Sequence, residues 1–270
     1  MGVLNLTPDS FSDGGRWVER DRAVERALAM LEEGASVLDL GAESTRPGGG
    51  VYGAGADDVS AAEELDRLLP VLETLRPLTD APLSVDTRKG NVARAALEAG
   101  ADLINDVSAL TDPELGEAVA RAGCPLVLMH SRGDLRTMQR EISYADPGAE
   151  VAAELATAIE RATSTGVARD QLLLDPGIGF GKRLEDNLRL IADLEPLHEL
   201  GRPVLVGASR KSFIGDVSGA EVSQRLGGSL AAVAWSALQQ ASIVRVHDVH
   251  ETVQFLKVFE ALEAAAGAPA

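Results

Sequence analysis

The first residues of the chain, GVLNL at 2–6 followed by TPDSFSDGG at 7–15, show the pattern on which the fold depends. A short apolar run carries a single amide, Asn5, near its end and then breaks into a loop of small, polar, turn-forming residues. Such an amide could simply cap the loop, but an apolar strand has no structural need for it. Because the same pattern recurs along the chain, we favour a site beside the strand ends.

Short apolar runs alternate with longer amphipathic segments over the whole length. We predict strands at 2–6, 36–40, 83–86, 102–105, 125–129, 171–174, 203–207 and 243–246. We predict helices near 19–33, 57–76, 90–99, 112–122, 148–166, 185–199, 222–240 and 249–264. Continuous apolar strands that alternate with helices are typical of a parallel sheet buried on both faces.

Eight such units in 270 residues match the count and the length of a (β/α)8 TIM barrel. A doubly wound open sheet is the alternative, although it rarely carries eight evenly spaced units without a linker. No stretch rich in Pro, Gly and Ser divides the chain. We therefore expect one α/β domain over residues 1–270, with its active site at the carboxyl-terminal rim of the strands.

Composition limits the class of function. A formal net charge of −17 argues against nucleic-acid binding, which needs a basic surface, so an anionic substrate must be held by a local basic cluster. Cys124 is the single cysteine, which excludes an intramolecular disulfide and makes a reducing compartment the default. No apolar stretch reads as a membrane span and no leader opens the chain. We expect a cytoplasmic protein that acts on small molecules and binds neither nucleic acid nor membrane.

Every predicted strand delivers a polar side chain to the same end. In chain order these are Asn5, Asp39, Asp86, Asn105, His130, Asp175, Ser209 with Arg210 and Lys211, and Arg245 with His247. One or two could be satisfied core residues, but eight at matching positions would be costly to bury without a purpose. The pattern therefore predicts one shared site.

Three of these groups suit a flat heterocycle with amino and amide edges. Asp86 and Asp175 would accept from N–H donors, and Asn105 can both donate and accept. Taken singly, each could equally cap a following helix. The run DPGIGFGK at 175–182 lacks the spacing of a phosphate-binding Walker loop. Its glycines permit close approach of the backbone to a ring, and Phe180 could either stack on an aromatic ligand or plug the loop.

Basic residues cluster after the last two strands, where this fold usually binds phosphate. They are the SRKS run at 209–212, Arg245 and His247, which Arg46 could join. No His or Cys cluster has zinc spacing. A Mg2+ ion held by oxygen atoms and substrate phosphates is compatible with the residues present.

Eight motifs in order carry a family resemblance: GVLNLTPDSFSDGG, ESTRPG, SVDTRK, INDVSAL, LMH, DPGIGFGK, SRKSFIG and RVHDV. Together they resemble dihydropteroate synthase of folate biosynthesis, from Gly2 to about Val249. The resemblance implies a TIM barrel that joins 6-hydroxymethyl-7,8-dihydropterin pyrophosphate to p-aminobenzoate. The products would be 7,8-dihydropteroate and pyrophosphate, with Mg2+ assisting.

The resemblance also implies roles for individual residues. The pterin would be held by Asp86, Asn105, Asp175 and Lys211. The metal and pyrophosphate would meet Asn5 and Asp13, and the departing phosphates Arg245 and His247. The p-aminobenzoate pocket would comprise Thr45, Arg46, Pro47, Phe180, Lys211 and Ser212, with Phe11 closing over it. We count Asp86, Asp175, Lys211, Arg245 and His247 as the catalytic set.

Two positions depart from the family pattern. Arg132 stands where Met or Gln is more usual, and could alter the charge beside the pterin edge, whereas Gly90 replaces a Pro. The segment 222–240 is apolar on nearly all sides, which suggests a helix covered by more than its own barrel. We therefore expect a homodimer.

Three other functions remain open at this stage. A methyltetrahydrofolate:corrinoid methyltransferase shares the pterin-binding barrel but needs neither the phosphate site nor the p-aminobenzoate pocket. An aldolase-like barrel could form a Schiff base on Lys211. A non-catalytic pterin-binding paralogue is the third, and it is disfavoured because the candidate site residues are all present.

Overall fold

The computed structural model describes residues 1–7, 16–43, 59–133, 138 and 142–267, with the backbone alone for 16–18. Eight short parallel strands alternate with helices along this part of the chain. The strands are β1 (Gly2–Asn5), β2 (Leu38–Gly41), β3 (Leu83–Asp86), β4 (Leu103–Asp106), β5 (Leu126–Met129), β6 (Leu172–Asp175), β7 (Leu205–Val206) and β8 (Ile243–Val244).

The strands close into a ring. The first six pair in sequence order and the last two pair with each other. The ring is completed where the Val3 amide donates to the Val246 carbonyl at 2.9 Å and where the Leu174 amide donates to the Pro203 carbonyl at 2.9 Å. The predicted (β/α)8 barrel is confirmed.

The helices lie on the outside of this ring. They are α1 (Arg16–Glu32), α2 (Ala61–Leu75), α3 (Gly90–Glu98), α4 (Pro113–Ala122), α5 (Pro147–Ser164), α6 (Leu184–Ala192), α7 (Glu195–His198), α8 (Ser212–Ser218), α9 (Leu226–Leu238) and α10 (Val249–Gly267). Short 3-10 turns cover Arg76–Leu78, Arg169–Gln171 and Val222–Gln224. None of these described helices combines the length and the apolar character needed to cross a membrane.

Two helix predictions are wrong in detail. The single helix expected over 185–199 is two helices, because Pro196 has no amide hydrogen and its ring would clash with the Ala192 carbonyl of a continuous helix. After β7, the first helix begins at Ser212 and not near Glu221. This seven-residue helix ends at Gly219, whose φ of +72° is the left-handed conformation that favours glycine.

The interior of the barrel changes from apolar to polar along the strands. Leu103, Val127 and Leu205 form an apolar cluster. The described side chains that pack against it, Met1, Val37, Leu173 and Ile243, lie in the strands or directly before them. Side chains alternate between the two faces of a strand, so the residue two positions later points to the same side. In this way Leu103 is followed by Asn105, Leu173 by Asp175, and Ile243 by Arg245. The carboxyl end of the ring is therefore lined with polar groups.

Candidate active site

Asp39 organises the polar end of the barrel. Its side chain is fully buried on β2. The carboxylate accepts from Ser84 Oγ at 2.5 Å, from Arg245 Nε at 2.6 Å and, more weakly, from Asn105 Nδ2 at 3.4 Å. Because both of its oxygens are used, Asp39 orients two predicted site residues and leaves other groups to meet a ligand.

Arg245 bridges two buried carboxylates. While Nε contacts Asp39, Nη2 donates to Asp86 Oδ2 at 2.9 Å. Burial raises the pKa of Asp86 to about 7, with the Arg245 charge opposing this rise and the Asp39 carboxylate adding to it. The guanidinium thus stabilises two acidic groups that would otherwise repel each other.

Two acceptors carried by the strands at this end have no donor within the described part of the chain. They are Asp86 Oδ1 and Asn105 Oδ1, both buried. Asp86 and Asn105 are partners in the β3–β4 register, so the two acceptors belong to neighbouring side chains. An unsatisfied buried polar group costs about 1–3 kcal/mol. A ligand that presents N–H donors would relieve this cost at both atoms.

Lys211 and Asp175 come from the adjoining side of the ring. Burial raises the pKa of Asp175, which the Gly177 amide and the Lys211 charge oppose. The Gly177 amide donates to Asp175 Oδ1 at 2.7 Å. The Lys211 Nζ lies 4.2 Å from the centroid of the Phe180 ring. A ring face, an ammonium group and a carboxylate thus adjoin the acceptor pair.

Comparison with known proteins identifies the family. Residues 1–247 match the model of the pterin binding enzyme family. The chain is 46% identical over 261 residues to a dihydropteroate synthase of Escherichia coli K12, covering 97% of this chain and 90% of that protein. The chain belongs to the dihydropteroate synthase family. It is accordingly an enzyme of the transferase class.

Solved structures of the same family share the fold. The Xanthomonas albilineans dihydropteroate synthase with 4-aminobenzoic acid has a TM-score of 0.89 at 46% identity, covering 100% of this chain and 93% of that one. The same enzyme in complex with 7,8-dihydropteroate has a TM-score of 0.86 at 44% identity, covering 100% and 94%. These similarities place the chain with the synthases rather than with the methyltransferases or aldolases considered above.

Six of the site residues predicted for a dihydropteroate synthase lie close together in the described structure. Direct contacts or electrostatic interactions link five of them: Asp86, Asp175, Phe180, Lys211 and Arg245. Asn105 joins this set as the register partner of Asp86 and through its hydrogen bond to Asp39. Asn5 is exposed at the end of β1, in register with Gly41 and through it with Asp86. Five predicted residues lie outside the described residues: Phe11, Asp13, Thr45, Arg46 and Pro47.

The two remaining predicted site residues, His247 and Ser212, follow strands β8 and β7. His247 Nδ1 lies 3.1 Å from Ser209 Oγ. Burial and the neighbouring Arg245 charge lower the pKa of His247 to about 4, so the ring is neutral near pH 7. In the free protein it can therefore offer an N–H group but carries no charge. Ser212 is the first residue of α8, directly after Lys211.

A strained turn presents Lys211 to the synthase site. The preceding residue, Arg210, has a φ of +58°, which is unfavourable for a side chain with a Cβ. Its amide donates to Ser229 Oγ at 2.9 Å, and Arg225 Nη1 donates to its carbonyl at 3.2 Å. The Arg210 side chain also pairs with Asp248 through two hydrogen bonds. Such strain persists where the surroundings over-determine the conformation, as is common at active sites.

The two departures from the family pattern have structural explanations. Arg132 pairs with Glu150 at 2.9 Å and also with Glu154, both on α5, so carboxylates match its charge. Gly90 lies where α3 meets α4, and an added Cβ would be 2.6 Å from the Leu115 amide nitrogen. A residue with a side chain would force these helices apart.

The Lys211 ammonium predicts the alkaline side of the pH profile. Burial and the Arg245 charge lower the pKa of Lys211 to about 8. As pH rises through this value the ammonium is lost, so we expect kcat/KM for the pterin substrate to fall about tenfold per further pH unit. Arg stays protonated beyond about pH 12, so Lys211→Arg should lower activity but remove this limb. Steady-state kinetics from pH 6 to about pH 10 test this prediction. If kcat/KM of Lys211→Arg falls at high pH as in the unmodified protein, another group causes the fall.

Proposed function

We propose that this protein joins 6-hydroxymethyl-7,8-dihydropterin pyrophosphate to p-aminobenzoate at the rim of the barrel, using its own Asp86, Asn105, Asp175 and Lys211 to hold the pterin. We call these four residues the pterin cluster. The observation that supports the proposal most is the pair of buried acceptors Asp86 Oδ1 and Asn105 Oδ1, which have no donor among the described residues, in a member of this family.

The pterin cluster matches the hydrogen-bonding edge of the ring. Carboxylates on Asp86 and Asp175 accept from the amino and amide N–H groups of the pterin, while the Lys211 ammonium donates to a ring acceptor. Burial leaves the charges of both aspartates poorly solvated in the free protein and thereby raises their pKa values. Donors or positive charge on a bound ring would stabilise the carboxylate forms.

The reaction then exchanges one bond for another. The bond between the pterin methylene carbon and the pyrophosphate oxygen breaks, and its electron pair leaves with pyrophosphate. The lone pair of the p-aminobenzoate nitrogen forms the new C–N bond, and that nitrogen releases a proton to water. Positive charge that develops on the pterin is stabilised by Asp86 and Asp175. Since the aniline lone pair is already free, catalysis is mainly positioning and electrostatics.

Two residues are placed to receive the departing pyrophosphate. Arg245 uses Nε and Nη2 for the aspartates, and we assign its Nη1 to the leaving group. His247 would add a neutral N–H donor. A chain with a net charge of −17 repels a pyrophosphate in general, so these local donors carry the recognition.

A Mg2+ ion would be held chiefly by the substrate. Within the described residues no group of three or more His, Cys, Asp or Glu side chains is placed to bind a metal. Asn5 offers one exposed amide oxygen at the rim, and Asp13, outside the described residues, is the second candidate. This sparse set fits Mg2+, which retains water and binds substrate phosphates. When bound, the ion neutralises charge on the leaving group.

The p-aminobenzoate would lie on the Phe180 side of the pterin cluster. Lys211 and Phe180 are in contact there, and Ser212 follows directly. The family resemblance adds Thr45, Arg46, Pro47 and Phe11. A Xanthomonas albilineans relative has been solved with 4-aminobenzoic acid, which supports p-aminobenzoate as the second substrate.

The direct test is a product assay. The purified protein is incubated with both substrates and Mg2+, and pyrophosphate and dihydropteroate are measured, the latter by mass spectrometry. We expect the two products in equal amounts, loss of both on chelation, and recovery on adding Mg2+. Pyrophosphate released without dihydropteroate would contradict the proposed transfer. Undiminished turnover after chelation would contradict the metal requirement.

We also propose a cytoplasmic homodimer. The single cysteine, which is buried, is compatible with a reducing compartment. Four large apolar side chains on α9 and α10 stay about half exposed or more: Trp235, Leu238, Val258 and Leu262. Exposed apolar side chains on two neighbouring helices support burial against a second copy of the chain.

Charge substitutions on α9 and α10 should separate the dimer. Leu238 is 51% and Leu262 64% exposed within one chain, so Leu238→Glu and Leu262→Glu should each change the free energy of unfolding of the separated monomer by about 0.5 kcal/mol or less. Either should shift the mass in sedimentation equilibrium from twice 28.2 kDa towards 28.2 kDa. The control is Leu78→Glu, at a 54% exposed leucine after α2, which should stay dimeric. A monomeric unmodified protein would exclude the homodimer.

A further inference from the structure

We propose that Lys182 is a positioning residue for the p-aminobenzoate side of the site. It fixes the Phe180 turn to the end of β5 and thereby sets the Phe180 ring against Lys211. The inference rests on the proposed function, because it assigns the Phe180 side of the cluster to p-aminobenzoate.

Lys182 is a buried amine whose hydrogen-bond partners among the described residues carry no formal charge, and burial lowers its pKa to about 7. Its side chain is 3% exposed. The Nζ lies 2.8 Å from His130 Nδ1 and 3.0 Å from the Phe180 carbonyl oxygen, with the His130 carbonyl at 3.5 Å. Taking an ammonium out of water is costly, and an apolar residue would be the cheaper way to fill the space. The contacts it makes with the Phe180 turn therefore point to a positioning role.

His130 connects Lys182 to helix α5. His130 is 2% exposed, and its Nε2 lies 3.0 Å from Glu154 Oε2. A carboxylate at Nε2 places the ring proton on that nitrogen, which leaves Nδ1 as the acceptor for Lys182. Burial and the Lys182 charge lower the pKa of His130 to about 4, so the ring stays neutral in this arrangement. Arg132 binds the same Glu154 and holds it in place.

The turn that carries Phe180 is packed tightly on both sides. Gly177 has a φ of +65°, and an added Cβ would lie 1.8 Å from the His130 carbonyl oxygen. On the other side, the Gly179 amide donates to Asn187 Oδ1 at 2.6 Å. Lys182 adds a hydrogen bond from Nζ to the carbonyl oxygen of Phe180. The backbone of Phe180 is thereby tied to the segment that follows β5.

The Phe180 ring links this turn to the active site, because it contacts Lys211. The ring is buried with Val107, Met129 and Met138, and its face lies 4.2 Å from Lys211 Nζ. Lys211 in turn interacts with the Asp175 charge. A displacement of about 1 Å at a reacting centre can cost about a hundredfold in rate. Loosening Phe180 should therefore weaken productive binding of the second substrate.

The pterin side should be affected less. Lys182 makes no hydrogen bond to Asp86 or Asn105, nor to the Asp39 and Arg245 side chains that orient them. It affects the other two residues of the pterin cluster less directly, through its charge near Asp175 and through the contact of Phe180 with Lys211. The expected signature is therefore a split: a large effect on p-aminobenzoate and a small one on pterin binding. A residue that only stabilised the fold would not produce this split.

Lys182→Met tests the inference, because it removes the charge and keeps most of the side-chain length. We expect KM for p-aminobenzoate to rise about tenfold, and the dissociation constant of the pterin substrate, measured by calorimetry, to rise by a clearly smaller factor. Lys257→Met is the matched control, at an exposed lysine on α10, and should leave both unchanged. An unchanged KM for p-aminobenzoate would overturn the inference, as would equal weakening for both substrates. An unmodified protein that makes no dihydropteroate would instead count against the proposed function.

A second measurement needs no substitution and so does not depend on how Lys182→Met folds. Nitrogen NMR of the unmodified protein reports the tautomer of His130, assigned through its own backbone correlations. We expect a neutral ring with the proton on Nε2 at about pH 6, which lies above the His130 pKa of about 4 and below the Lys182 pKa of about 7, so that Lys182 is mostly an ammonium. A proton on Nδ1 would remove the acceptor for the Lys182 ammonium and overturn the inference.

Discussion

Replacing Arg245 by Met is expected to destabilise the protein more than any other single change in the site, by about 3–5 kcal/mol near pH 8. The reason is the pair of buried carboxylates that its guanidinium bridges, at 2.6 Å to Asp39 and 2.9 Å to Asp86. Without Arg245, two neighbouring negative charges would remain buried in the barrel. Activity should be lost as well, since the same residue is assigned to the pyrophosphate.

The pH dependence of this loss has a defined sign. Burial already raises the folded-state pKa of Asp86 to about 7, above the ordinary value of 3.8, and removing Arg245 raises it further. Below about pH 7, Asp86 is protonated and uncharged in both folded proteins, so burying it destabilises neither of them through its charge. The difference in unfolding free energy between the two proteins should therefore be largest near pH 8 and shrink as pH falls through 7.

Urea unfolding at two pH values measures the effect. Arg245→Lys is the matched control, because its single ammonium can satisfy one carboxylate well but not both. Its stability should lie between those of the Met variant and the unmodified protein. A Met variant with unchanged stability near pH 8 would show that Asp39 and Asp86 are not the charged, paired groups described here.

Asp175→Asn should have the opposite signature, with a large loss of activity and little loss of stability. Burial raises the pKa of Asp175, so a neutral amide relieves an unfavourable charge, and its Oδ1 can still accept from the Gly177 amide. The pterin, however, loses a charge-assisted partner in a desolvated site. Truncating one side of such a pair costs about 4 kcal/mol, so kcat/KM for the pterin substrate should fall about a thousandfold.

The measurements are steady-state kinetics, pterin calorimetry and thermal unfolding. Asp170→Asn is the control, because Asp170 is exposed beside the opposite end of the same strand, in the turn Arg169–Gln171. It should behave like the unmodified protein in all three. Near-normal turnover in Asp175→Asn would remove Asp175 from the pterin cluster.

The barrel and much of its rim could be predicted because the signals are local. Each strand is a continuous apolar run, and Asp86, Asn105 and Asp175 stand at strand ends where alternation turns them inwards. Pro196 also marks the break between α6 and α7, and the sequence prediction overlooked that signal. The missed helix α8 is short and contains Gly215, so it has little helical periodicity to detect.

The partners of the rim residues could not be predicted, because they depend on tertiary contacts. Asp39 was recognised as a strand-end residue but not as the partner of Arg245, which is 206 residues away. An acidic residue inside the apolar run VLDL was the only available hint. The contact of Lys182 with His130 likewise spans 52 residues. Closure of the ring brings these groups together, and no local pattern encodes it.

The central claim is that the pterin ring occupies the space in front of Asp86 and Asn105. A crystal structure of the protein with the pterin substrate bound tests this most directly. The account predicts ring N–H groups about 2.7–3.2 Å from Asp86 Oδ1 and Asn105 Oδ1, the two acceptors left without a described donor in the free protein. A ring bound elsewhere, with both acceptors still unpaired, would contradict it.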